Sequence, residues 1–184
     1  VSKLIQHSSD PEKVLAQAVR IQLGKLKSQM TDDAALALLL DPKDNKFIAD
    51  TLNVGTFERM SQVLHHASFT YQKKLSHTAD SQDQRHRMVF SSRPSVFFHY
   101  SGEPDYITPF GITQDAEAHD LYRRCMDESF KGVNRLIDAG VKPDLAFYLL
   151  PNAVSIRMVS SGDLQSWQHK WKLRTCYNAQ EEIF

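Results

Sequence analysis

The stretch QDQRHRMVFSSRPS, Gln82 through Ser95, sets two guanidiniums on either side of an imidazole and follows them with a serine-bearing loop. Three long polar side chains in a row cannot share one face of a helix or strand, so packing alone gives no reason for Arg85-His86-Arg87. Arginine forks suit phosphates and planar π-systems, through paired hydrogen bonds and through stacking. Ser91, Ser92, Ser95 and the loop amides add donors behind them. Such a set fits an anionic ligand that carries a ring, for example a nucleotide or a flavin. A solvated helix end, where cations complement the macrodipole, explains the same three residues with no ligand at all. On these residues alone both readings stand.

Other reactive side chains point more weakly to chemistry. Cys176, two residues after Arg174, is a conceivable nucleophile, but a lone Cys in such a loop more often packs as a small hydrophobe, and packing is the expectation. Cys125 falls on the apolar stripe of a long helix and is expected in the core. His65-His66 has no third ligand at a telling spacing, so capping or packing is expected there and no metal set is assigned. Trp167 and Trp171, four apart on one helical face, read as that helix's anchor. His77, His99 and His119 receive no role.

The elements that must position these residues can be read from periodicity and breakers. Val1–Gln6 alternates as a strand. Asp10-Pro11 starts a helix with an N-cap and a proline at its first position, and a loose stripe of Val14, Ala18, Ile21 and Leu26 carries it to about Gln29. Thr31 opens a second helix to Leu40. Lys46–Leu52 and Thr56–His65 read as short helices, and Ala67–Leu75 as a strand. Gln82–Ser95 reads as the polar stretch with its loop, Val96–Tyr100 as a strand, and Ser101–Pro104 as a turn. Thr113–Ala139 is the longest helix, with Ala118, Tyr122, Cys125, Ser129, Val133 and Leu136 on its stripe and Gly140 as its stop. Asp144–Leu150 is helical, Ala153–Val159 a strand, Leu164–Leu173 a helix, and Asn178 restarts one with no stop signal by Phe184. The chain is therefore expected to end inside an element. The sum is one α+β domain over residues 1–184.

Composition narrows the function. Of 184 residues, 41% are hydrophobic and 24% charged, an ordinary globular balance. Lys plus Arg is 22 and Asp plus Glu is 22, so the basic excess of a general nucleic-acid binder is missing, although a local cationic pocket remains open. No apolar run approaches the roughly 20 residues of a membrane span. Two cysteines are too few for a disulfide framework, which makes a reducing cytoplasm the expected compartment. The first residue is Val rather than Met, which reads as a mature or cut chain.

Arg85-His86-Arg87, then MVFSSRP, then Ser95, resembles the signature of the flavin-dependent thymidylate synthases. The surrounding order is similar to that family too. His66, Phe69, Thr70 and Tyr71 lead into Gln82; Leu150-Pro151-Asn152, Arg157, His169, Leu173-Arg174 and Ala179-Gln180-Glu181-Glu182-Ile183 follow in sequence. The likeness covers about residues 60 to 184, and the first 60 match only as strand then helix. It implies an α+β fold with a mixed or antiparallel sheet packed with several helices. It implies FAD on Arg85, His86, Arg87 and His169, and dUMP on Gln82, Ser95 and Arg174. It further implies that flavin reduced by NADPH relays a one-carbon unit from methylenetetrahydrofolate to the uracil C5, with no protein nucleophile. A cytoplasmic homotetramer with flavin sites shared between subunits is the assembly it implies, with no nucleic-acid or membrane partner.

The departures from the family pattern set expectations of their own. A loop Glu of the family is Arg93 here, and its second nucleotide-gripping Arg is Phe97. Another family Arg is Phe147; His, Thr and Glu ahead of the strand become Met60, Gln62 and His65; an Asn before the last helix becomes Asp163. Losing two guanidiniums costs several kcal/mol of phosphate binding, at about 1.5–3 kcal/mol per charged hydrogen bond. Arg93 is the expected compensation, which adds it to the substrate set. Two further readings are carried forward: a homologous flavoenzyme acting on another substrate, and a non-catalytic family domain from a tandem protein.

Overall fold

The computed structural model describes residues 2–48 and 55–183. Ser2–His7 (β1) is an edge strand whose side chains stay exposed. Pro11 occupies the first turn of Pro11–Gln22 (α1), as the sequence indicates, but Asp10 does not cap it. Its backbone is left-handed, at φ 46°, and its carboxylate pairs with Lys13 at 3.1 Å instead. The helix stops well before Gln29 because the chain turns at Gly24, whose φ of +65° only glycine adopts freely. The buried face is also displaced by one position from the expected stripe. Leu15, Ala16 and Val19 are buried, whereas Val14, Ile21 and Leu26 face solvent.

That face meets Asp32–Leu40 (α2), which begins where Thr31 accepts the Ala34 N–H at 3.2 Å. Ala35 and Leu39 of α2 close one hydrophobic core with Leu15, Val19, Val63 and Leu64. Of the short helix expected at Lys46–Leu52, residues 46–48 form a turn and the remainder lies outside the described residues. The helix expected over Thr56–His65 starts later, at Arg59–Gln62 (α3), because the Glu58 carboxylate takes the N–H groups of Met60 and Ser61. It tightens into a 3₁₀ turn at Val63–His66.

Ser68–Ser76 (β2) then pairs antiparallel with β1. Two elements follow that the sequence does not announce. His77–Asp83 (α4) is capped by the Ser76 hydroxyl, which accepts from Ala79 N–H at 3.0 Å. Phe90–Ser92 (β3) lies inside the expected loop. The strand expected at Val96–Tyr100 is instead a helical turn, Val96–His99 (α5). Ser95 accepts the Phe97 N–H at 3.3 Å, and that cap outweighs the strand preference of two phenylalanines.

Phe110–Thr113 (α6) precedes Ala116–Asp138 (α7), which starts at the Asp115 cap rather than at Thr113 and ends at Gly140, φ +85°. Phe130 and Val133 are its buried residues, with Tyr122 and Met126 half-buried beside them. Cys125 lies just off this face and is exposed, contrary to the expectation of a core position. Pro143–Ala146 (α8) runs into a 3₁₀ turn at Phe147–Leu149. Ser155–Asp163 (β4) is longer than expected and pairs antiparallel with both β2 and β3, giving the order β1-β2-β4-β3. Leu164–Arg174 (α9) is capped by Asp163, which accepts the Ser166 N–H at 2.8 Å. Residues 181–183 form a turn, and no helix restarts after Asn178 among the described residues. The architecture is α+β, with nine helices among the described residues and a four-stranded antiparallel sheet, as the sequence indicates.

Candidate active site

The Arg-His-Arg cluster sits on the turn that ends α4, and the turn sorts its three side chains. The His86 N–H is bonded to the Asp83 carbonyl at 3.3 Å, which turns the imidazole inward until it is 7% exposed. Arg85 and Arg87 stay outside and exposed, and neither is drawn into an ion pair with a described residue. α9 supplies the matching wall. Arg174 donates from Nε to His86 Nε2 at 2.5 Å and from Nη2 to the Gln82 carbonyl at 2.8 Å. The His169 ring stands nearly perpendicular to that of His86, with centroids 6.3 Å apart. Burial, then the charges of Arg174 and Lys170, lower the His86 pKa from 6.5 to about 4. His86 is therefore a neutral acceptor at neutral pH, with the proton carried on its other nitrogen.

The structure thus gathers Gln82, Arg85, His86, Arg87, His169 and Arg174 around one junction of α4 and α9. Gln82 is partly spent, since its Oε1 accepts the Gln180 N–H at 3.2 Å. Ser95 lies farther along the loop, where its hydroxyl caps α5. Arg93 turns back onto α4, with Nε 3.5 Å from Asp80 and Nη2 4.0 Å from Asp83. A ligand anion would have to displace carboxylates to use it. Burial raises the pKa of Asp80 in spite of Arg93.

Beneath the junction lies a group that sequence reasoning missed. Asp83, 2% exposed, receives Lys170 at 2.5 Å and Lys73 at 3.2 Å. Burial alone would raise its pKa, but the two lysines outweigh burial and hold it below the ordinary value. Both ammoniums also lie over the Trp167 ring, at 5.0 Å for Lys73 and 5.4 Å for Lys170. A signal was present: Lys73 shares strand parity with Tyr71 and Leu75, and Lys170 is one helical turn past Trp167.

The family model described as "Thymidylate synthase complementing protein" matches residues 3–184. The chain belongs to this family. Among its relatives, the flavin-dependent thymidylate synthase of Geobacter sulfurreducens is 27% identical over 189 residues, covering 98% of this chain and 75% of that protein. That of Corynebacterium glutamicum is 32% identical over 137 residues, 66% of this chain and 55% of the relative. The Saccharolobus solfataricus protein is 25% identical over 187 residues, covering 98% and 67%. The chain spans between about half and three quarters of the length of the curated relatives it matches.

Membership in the thymidylate synthase complementing family makes the departures informative. Phe97 and Phe147 are in contact, stacked with centroids 5.3 Å apart and planes 25° from parallel. Tyr100 packs on Phe147 at 4.9 Å and on Phe130 at 5.8 Å. The two phenylalanines form one aromatic wall that continues into the α7 core, and Phe97 keeps half of its surface exposed. His65 pairs with Asp163 at 2.9 Å and ties the 3₁₀ turn to the cap of α9. Cys176 is exposed rather than packed. Trp167 is buried and anchors α9 as expected, whereas Trp171 is 45% exposed. No helix among the described residues is long and apolar enough to cross a membrane.

Proposed function

We propose that this chain works as a flavin-dependent thymidylate synthase, methylating dUMP to dTMP with methylenetetrahydrofolate and NADPH as co-substrates and FAD as cofactor. The observation that carries the reading is the pair of exposed, uncommitted guanidiniums of Arg85 and Arg87 around the buried imidazole of His86. Two such forks suit a diphosphate, so the donor set fits FAD. When bound, FAD supplies the redox and one-carbon relay chemistry that no side chain here provides. Arg85 and Arg87 bind the cofactor's anionic part. His86 stays neutral and fixes the Arg174 fork, and His169 borders the same surface. Gln82, Ser95 and Arg174 meet the nucleotide, with the amide nitrogen of Gln82 left to pair with a pyrimidine edge. Arg93 joins them only by releasing Asp80 and Asp83. The protein acts in the cytoplasm as a homotetramer that completes its flavin sites between copies.

The test is FAD binding by fluorescence quenching, then calorimetry with dUMP on the loaded protein and NADPH oxidation with and without dUMP. Arg87→Ala should weaken flavin retention, and Phe97→Arg should tighten dUMP. Wild-type protein that takes up no FAD after refolding with excess cofactor would sink the reading. A second reading, a flavoenzyme for a substrate lacking the phosphate, is favoured by the Phe97–Phe147 stack. Flavin binding with NADPH oxidation indifferent to dUMP would select it.

A further inference from the structure

A cavity of about 400 Å³ lies between β2, α9 and the C-terminal segment. Its size is that of a small-ligand site. Lys73, Lys170 and Arg174 line one part of it, and Tyr71, Trp167 and Trp171 another. We propose that this cavity is a binding site for a small aromatic anion, whose charged group meets Lys73 and Lys170 and whose ring stacks on Trp171.

The charges argue for an anion. Asp83 faces three cations: Lys170 at 2.5 Å, Lys73 at 3.2 Å and Arg93 at 4.0 Å. Asp80 also sits beside Arg93, and its buried Oδ1 has no hydrogen-bond partner among the described residues. Glu182 lines the cavity, yet its oxygens are taken at 2.6 Å by the N–H and hydroxyl of Ser76. The lining itself carries three cations, Lys73, Lys170 and Arg174, against two carboxylates, Asp83 and Glu182. A buried charge without a partner is costly, so two ammoniums sharing one carboxylate leave a place for a second anion. Two neighbours register the same field. Lys170 is lowered to about 8 by burial and then by Lys73, and His86 is lowered by burial and then by Arg174 and Lys170.

The walls argue for a ring. Trp167 and Trp171 stack at 6.1 Å, and Tyr71 meets Trp167 edge-on at 4.8 Å. Trp171 is 45% exposed and so keeps ring surface to offer. The cavity shares Arg174 with the nucleotide site proposed above, but its anion contacts are Lys73 and Lys170, so the proposal stands or falls separately from flavin binding at Arg85 and Arg87.

The chain has two tryptophans, and both line the cavity, so intrinsic tryptophan fluorescence reports this site directly. The apoprotein is titrated with sodium benzoate, phenyl phosphate and sodium acetate at constant ionic strength. A saturable change with benzoate or phenyl phosphate is expected, and the tighter of the two identifies the charged group as carboxylate or phosphate. Acetate should bind at least about tenfold more weakly, for want of a stacking ring. Lys170→Met and Lys73→Met each leave one lysine paired with Asp83 and should fold, as far-UV circular dichroism will check. Each should weaken the aromatic anion at least about tenfold, the loss of one charged contact. No saturable change in wild type, acetate as tight as benzoate, or unaltered binding in both folded variants would each overturn the proposal.

Discussion

His86 should make the fold acid-labile within a defined window. Its ring is 7% exposed, and its pKa drops from 6.5 to about 4 because burial, then Arg174 and Lys170, disfavour the imidazolium. Between these values the unfolded chain holds a proton that the folded chain refuses, so stability falls as pH falls from 6.5 towards 4. A gap of about 2.5 units, at about 1.36 kcal/mol each, makes the loss about 3 kcal/mol when complete. His99, lowered by burial and then by Arg157, acts in the same sense, and Asp80, raised by burial, in the opposite sense just above its ordinary value of 3.8, so a single curve mixes several groups. The comparison with His86→Gln separates them. Glutamine can still accept from Arg174 but cannot titrate, and it leaves Asp80 in place. Urea unfolding at steps from pH 7 to pH 4.5 gives the stability of each protein. Wild type should lose about 2–3 kcal/mol more than His86→Gln across that span. Parallel curves for the two proteins would refute the burial and charge argument, and with it the neutral His86 that fixes Arg174.

Three further outcomes are expected. Asp83→Asn strands two buried ammoniums and should cost about 3–5 kcal/mol in urea unfolding, while the combined Lys73→Met, Asp83→Leu and Lys170→Met variant should be at least as stable as wild type. A double-mutant cycle of Phe97→Ala and Phe147→Ala should return a coupling of about 0.5–1.5 kcal/mol, and a value near zero would mean that the two rings do not stack in solution. Glu182→Ala removes both bonds to Ser76 and should lower the urea midpoint by the equivalent of about 1.5–3 kcal/mol, with far-UV circular dichroism unchanged at neutral pH.

What the sequence disclosed divides along physical lines. β2, α2 and α9 were legible because alternation, a threonine cap and a Trp-bearing helical face each act over a few neighbouring residues. The short elements around the Arg-His-Arg turn were not. α5 shows why: VFFH favours a strand by propensity, but one serine hydroxyl on the Phe97 N–H decides for a helical turn. A one-position error misplaced the buried face of α1, and on α7 it put Cys125 where Met126 lies although Tyr122 and Val133 fell on the right face, since loose stripes leave helix phase to the partner surface. Gathering Gln82, His86, His169 and Arg174 was within reach of motif spacing, although their mutual bonds were not. That Arg93 would turn back onto Asp80 and Asp83 is a matter of loop path, which spacing does not encode.

The triad beneath the site was hidden for a deeper reason. Lys73, Asp83 and Lys170 come from β2, α4 and α9, and although parity and helical phase set the two lysines beside apolar residues, nothing within one element joins them to Asp83. Only the packing of three elements makes them a buried group. Its composition then becomes the argument. A triad kept for stability alone gains little from ionic side chains, because hydrophobic residues of similar volume hold such a place at least as well. One that balanced its charges would still read as structural. Two lysines on one aspartate, with Arg174 on the same wall and Trp171 open beside them, instead leave positive charge and ring surface facing the same cavity. The stability of the all-apolar triple variant and its failure to bind benzoate therefore test one idea from two sides. If that variant is stable and still binds benzoate as wild type does, the lysines are ornament to the cavity and the anion site is wrong.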